Sequence, residues 1–161
     1  MTTFDHASAS DLLRTVFAPW IQALRLSVEE VHSGGATLRM PFSDDLTRDN
    51  GVVCGQALMA LADTAMVCAV SAASNRYLPM TTVDQTTHFL RPIAGRDTLA
   101  EAEVVRLGRT MAFGHIRLFA DGDDRPAATV QTAYALLGEP QKPVKNRLSR
   151  PDSPSLPGVT G

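Results

Sequence analysis

The chain has 161 residues, 44% of them hydrophobic and 20% charged, with a net charge of -2. That suits one domain with a real core, and it lacks the clustered Lys and Arg that nucleic acid demands of a main partner. Cys54 and Cys68 show no CxxC spacing and His6, His32, His88 and His115 are scattered, so no metal or other cofactor is expected, and both cysteines read as reduced and buried in a cytoplasmic setting.

The first residues carry Asp5 and Asp11 without a long apolar run, unlike a secretory signal. Residues 8–20 predict a short amphipathic helix, capped by Ser8 or Ser10, with Leu12, Leu13, Val16 and Phe17 on its apolar face and Pro19 limiting it. Residues 24–28 and 36–40 alternate around Gly34-Gly35 and predict a hairpin. FSDDLTRDNGVV, residues 42–53, reads as a loop.

From Gly55 to Asn75 no Gly or Pro interrupts a run rich in Ala, Leu and Met, which predicts a helix of about 30 Å. It is apolar almost all round, so other structure should surround it. The segment from Ala57 to Ala73 is short for a membrane span and holds Asp63 near its centre, so no membrane is expected as a partner. Period-two patterning then predicts strands near 79–90, 98–107, 111–120 and 126–137, with turns at Pro92 and Gly95, at Gly108 and at residues 121–124. One buried helix followed by antiparallel strands gives an α+β class with the sheet wrapped on the helix. Residues 1–20 form an N-terminal helical segment packed on a domain of residues 21–138. The Pro-rich tail, residues 139–161, is expected to be extended or disordered.

Asp63 is the chemical anomaly. A carboxylate on an apolar helix serves as general base or nucleophile, or it is simply satisfied by a backbone amide or hydroxyl. The second feature is the helix start, Gly51-Val52-Val53-Cys54-Gly55-Gln56. First-turn amides lack an intrahelical acceptor and carry the positive end of the dipole, so they suit an oxyanion. Gly55 would let a substrate approach the backbone closely. Eight residues of helix separate Gly55 from Asp63 by about 12 Å, too far for one carbonyl to touch both. If they cooperate, they come from two copies, through antiparallel helices across a two-fold axis.

N-G-V-V-C-G-Q-A-L-M-A-L-A-D-T-A, then T-T-V-D-Q-T-T-H-F-L-R-P, then R-L-G-R-T, resemble the hotdog-fold acyl-CoA thioesterases over residues 20–137, most of all the PaaI-like, phenylacetate-pathway branch. The resemblance implies a hotdog fold, hydrolysis of a fatty or aromatic acyl-CoA, and a homodimer or a tetramer of dimers. It implies Asp63 as the helix carboxylate and the Gly55 amide as oxyanion donor. The family pattern has His-Gly-Gly where Cys54-Gly55-Gln56 stand, and Asn or Gln where Arg48 stands. Asn50 or Gln56 would then orient water or substrate. Arg91, Arg106 and Arg109 are the candidates for CoA phosphates. Thr82 is expected in the pocket wall, near Asp84, with Arg48 and Cys54 also near substrate, and His88 as an ordinary sheet histidine. The alternative to an enzyme is a non-catalytic acyl-CoA binding or sensing module on the same fold. A dehydratase would need a paired catalytic His, which the sequence does not show.

Overall fold

A computed structural model describes residues 3–138; the Pro-rich tail at 139–161 lies outside the described residues. Helix α1 spans His6–Thr15. Its cap is Asp5, whose carboxylate accepts from the Ser8 amide and hydroxyl, both at 2.9 Å. The helix therefore starts earlier than a Ser8 or Ser10 cap implies, because the carboxylate is the better acceptor. A short helix α2, Pro19–Gln22, follows. Strand β1 is Ser27–His32 rather than 24–28. Arg25 takes a φ of 54°, a left-handed turn conformation incompatible with a strand.

The remaining strands are β2, Gly35–Met40; β3, Met80–Phe89; β4, Thr98–Leu107; β5, Met111–Ala120; and β6, Ala128–Leu136. They form one antiparallel sheet in the order β1-β2-β4-β5-β6-β3. Helix α3, Gly55–Ala73, lies on one face of it. This is the helix-and-sheet arrangement that the hotdog resemblance implies.

The sheet face under α3 intersperses small residues among larger ones such as Leu38, Ile116, Leu118 and Val130. Ala36, Ala100, Ala102, Ala112 and Ala128 are all buried there, so the helix approaches closely. Gly114 on β5 makes room for the Met66 side chain. A Cβ at Gly114 would sit 2.1 Å from Met66 Cε and 2.9 Å from the Glu103 carbonyl oxygen. The buried Thr64 and Ser71 hydroxyls donate to the Ala60 and Val67 carbonyls one turn back, each at 2.8 Å. With a mean hydropathy of 1.5, α3 is apolar enough to cross a membrane, yet its apolar faces are packed inside this domain.

The sheet does not surround α3 completely. Gln56 and Met59 are exposed and Asp63 is half-buried. They form a stripe at helical spacing. The stripe stays open because β3, the strand that reaches it, is an edge of the sheet. β3 also carries a β-bulge at Val83: Thr82 pairs with Tyr134, whereas Asp84 pairs with Ala133.

Candidate active site

Asp63 lies about two turns into α3, on the open stripe. Its Oδ1 accepts from two hydroxyls, Thr82 Oγ1 at 2.8 Å and Tyr134 Oη at 2.5 Å. The phenol also lies 3.1 Å from the Asp63 main-chain oxygen. Because Thr82 and Tyr134 are register partners, one rung of the β3–β6 ladder presents both hydroxyls to the helix. Tyr134 is only 1% exposed. Its burial first, and the adjacent carboxylate second, push the phenol pKa far above its ordinary range. The phenol thus stays protonated and able to donate.

The bulge decides what else faces the helix. Past Val83 the alternation changes phase. Gln85 points inward and its Nε2 donates to the Met59 carbonyl at 3.2 Å. Phe89 points inward too, and a Cβ at Gly55 would lie 3.0 Å from its ring. Asp84 instead lines a shallow cleft on the opposite sheet face with Phe113 and His115. His88, on the phase of Asp84, does not face the carboxylate. The sequence reading put Thr82 in a pocket wall; its hydroxyl is bonded to Asp63.

Gly55 opens α3 at the other end of the stripe. The residues before it are pinned to their surroundings: the Val53 amide donates to the Ile93 carbonyl at 2.9 Å and the Cys54 amide to the Leu46 carbonyl at 2.8 Å. Cys54 is the N-cap residue, half-buried, and its side chain makes no capping bond. The first amides of α3 therefore keep their protons for another acceptor. A cleft of about 420 Å³ leads here, lined by Arg48, Gly55, Leu58, Phe89, Arg91 and Ile93 among others. Arg91 donates to the Pro126 carbonyl at 2.8 Å. Arg48 closes a tight turn with Val52 and Gly51 through its backbone. Asn50 sits in that turn and its Oδ1 accepts from the Val52 amide at 3.3 Å. Gln56 is exposed on the first helical turn.

Arg106 and Arg109 stand elsewhere. Leu107, Ala112, Tyr134 and Thr82 form one row across β4, β5, β6 and β3, so the β4–β5 turn with exposed Arg109 is level with Asp63. Arg106 is the register partner of Phe113 and faces away from α3. The structure thus sorts the candidate residues into two groups. Arg48, Asn50, Cys54, Gly55, Gln56 and Arg91 gather at the start of α3. Asp63, Thr82, Arg106 and Arg109 lie toward the other end. Tyr134 and Phe89, which the sequence reading did not single out, join the second and first groups respectively. Phe89 carries a weak local signal, its place in the F-L-R-P motif. Among the described residues, no cluster of three or more His, Cys, Asp or Glu could hold a metal ion.

Residues 50–127 match the family model described as "Thioesterase superfamily". A Halobacterium salinarum protein named as a candidate esterase is 31% identical over 140 residues, which is 83% of this chain and 92% of that protein. A solved structure of a candidate thioesterase from Silicibacter sp. TM1040 has a TM-score of 0.76 at 32% identity, covering 86% of this chain and 95% of its own. The phenylacetic acid degradation protein PaaI of Thermus thermophilus has a TM-score of 0.65 at 26% identity, over 74% of this chain and 100% of its own.

Proposed function

Because the chain belongs to the thioesterase superfamily, with a PaaI protein among its structural relatives, we propose that it hydrolyses an acyl-CoA thioester to the free acid and CoA, as a homodimer with two shared sites. The observation that carries this reading is the placement of Asp63. A hydrogen-bonded carboxylate stands on an open helix stripe, about two helical turns from uncapped amides that suit an oxyanion. About 12 Å of helix separates the two, so a second protomer is the source of the missing half. Met59, Val83, Phe89 and Leu90 are large exposed apolar residues along the same helix stripe and edge strand, and an uncovered ten-residue strand edge invites pairing. Two copies related by a two-fold axis would set Gly55 of one against Asp63 of the other.

In the general-base form of the reaction, Asp63 takes a proton from water as the water oxygen attacks the thioester carbonyl carbon. The Gly55 amide stabilises the developing oxyanion. The C–S bond then breaks and the proton passes to the CoA thiolate. In the nucleophilic form, Asp63 attacks the carbonyl carbon and the C–S bond breaks to release the CoA thiolate. Water then cleaves the mixed anhydride to the free acid, regenerating the carboxylate and supplying the proton the thiolate takes up. Gln56, exposed beside Gly55, is better placed than Asn50 to orient water, because Asn50 already holds its own turn. Arg48 and Arg91 from one protomer and Arg109 from the other are the guanidinium groups offered to CoA phosphates; Arg106 faces the opposite side of the sheet. No metal or further cofactor enters this scheme, and the cytoplasm is the proposed setting.

The test is thiol release from a panel of fatty and aromatic acyl-CoAs. Asp63→Ala should lower turnover by about a thousandfold while CoA-ester binding persists. Equal inertness in wild type and variant with CoA esters still bound would mean that the fold only binds its ligand, and equal turnover would remove Asp63 from the chemistry. Mixing inactive Asp63→Ala and Gly55→Val protomers should restore about one working site per heterodimer.

A further inference from the structure

We propose that Tyr134 is the positioning residue that sets the reacting oxygen of Asp63: it clamps Oδ1 from inside the core and leaves Oδ2 to face the substrate. The proposal rests on the reading of Asp63 as the reacting group. Both intramolecular contacts of the carboxylate fall on the same oxygen, from Tyr134 at 2.5 Å and Thr82 at 2.8 Å. Among the described residues no partner engages Oδ2.

The two donors are not equivalent. Thr82 sits on the exposed edge strand, while Tyr134 is 1% exposed on β6, the strand inside that edge. A phenol has only two side-chain torsions, and this ring is held by the core on all sides. Its hydroxyl reaches Asp63 through two acceptors, the carboxylate and the main-chain oxygen. A residue needed only for packing at such a site would carry no polar atom, since a buried hydroxyl must be satisfied. Here the hydroxyl fixes the carboxylate in one orientation relative to the helix backbone. A base held in one orientation gives up less freedom on reaching the transition state.

The phenol is not itself the acid or base. Burial and the neighbouring carboxylate hold it protonated, so it donates permanently. Donation to a carboxylate favours the anion. Removing the donor should therefore move the acid limb of the turnover profile to higher pH. Strengthening the donor should move that limb the other way.

The experiment measures kcat, KM and the pH profile of acyl-CoA hydrolysis in wild type, Tyr134→Phe, Thr82→Val and Asp63→Asn. Tyr134→Phe should lower kcat by about ten- to a hundredfold, with KM within about twofold, and raise the acid limb. The chain has two tyrosines, so 3-fluorotyrosine in a Tyr77→Phe background alters Tyr134 alone. That stronger donor should lower the acid limb in a protein that keeps its native shape, which covers the case in which Tyr134→Phe does not fold. A wild-type kcat in Tyr134→Phe, or an acid limb that fluorination leaves in place while Asp63→Asn is inert, overturns the positioning role and leaves the thioesterase reading standing. Full turnover by Asp63→Asn overturns the reading of Asp63 and the role of Tyr134 with it.

Discussion

At the residue scale, Gly55 and Phe89 set how close a substrate comes to the helix start. A methyl group at Gly55 would meet only the far end of the Phe89 ring, at 3.0 Å, where a shift of a few tenths of an ångström relieves the contact. Gly55→Ala should therefore fold with a Tm close to wild type, since Ala suits a helix better than Gly. Its kcat/KM should fall by roughly tenfold or more, because the new methyl stands where the thioester carbonyl must meet the amide. Parallel thermal melts and acyl-CoA kinetics check this; a lowered Tm with unchanged kcat/KM would place Gly55 in packing rather than chemistry. Asp63 was visible in the sequence because one carboxylate interrupts a long apolar run. Tyr134 was not. Its partner lies 71 positions away, and nothing in Gln131-Thr132-Ala133-Tyr134 separates a clamp from an ordinary core aromatic.

At the element scale, α3 and the four strands after it were legible, since length, composition and period two all agree. The start of β1 was not, because a single left-handed residue, Arg25, ends the preceding turn late, and no composition signal marks a positive φ at Arg. The seating of α3 depends on small residues below it. Gly114→Ala should destabilise the fold by about 1–3 kcal/mol, as overpacking does. Met66 is flexible and gives way, but the Glu103 carbonyl at 2.9 Å is backbone and does not. Denaturant melts of Gly114→Ala, of Met66→Ala and of the two together test this. Compared with Met66→Ala alone, which itself loses stability through the cavity it opens, the double variant should melt lower still by part of the Gly114→Ala loss. Equal melts would show that Met66 was the whole obstacle.

At the scale of the whole molecule, Arg39 gathers distant segments. Its guanidinium donates to Glu29 at 2.8 Å, Asp97 at 3.1 Å and Asp121 at 2.8 Å, and Asp97 also accepts from the Phe42 amide at 2.8 Å. β1, β2 and the loops flanking β4 and β5 meet at this one cation. The Arg39 hydrogen bond holds the Asp121 carboxyl below the ordinary aspartate value of 3.8. A carboxylate with a depressed folded pKa stabilises the fold above its unfolded value, and that contribution is lost as pH falls through the folded value. Tm should therefore drop in acid below about pH 4. Arg39→Met should melt lower at pH 7 and show a shallower acid decline. A variant whose Tm tracks wild type from pH 7 to pH 3 would show that the cluster contributes nothing. The open stripe of α3 was not legible, because an apolar periodicity reports what must be covered and not which chain covers it.

The extra residue at Val83 has a consequence for how this sequence can vary. Before it, Thr82 faces the helix; after it, Gln85 and Phe89 do, while Asp84 is turned away. Losing that one residue would restore a regular ladder with Asp84 still opposite Ala133, so Gln85 and Phe89 would keep facing α3. A residue lost between Gln85 and His88 would instead turn His88 toward α3 and carry Phe89 away from Gly55. Substitutions along β3 are each a local matter, whereas a change of length after Gln85 re-aims every side chain beyond it, Phe89 included. Relatives that keep this chemistry should therefore vary freely at Val83, in residue type and even in its presence, and hardly at all in residue number between Asp84 and Phe89.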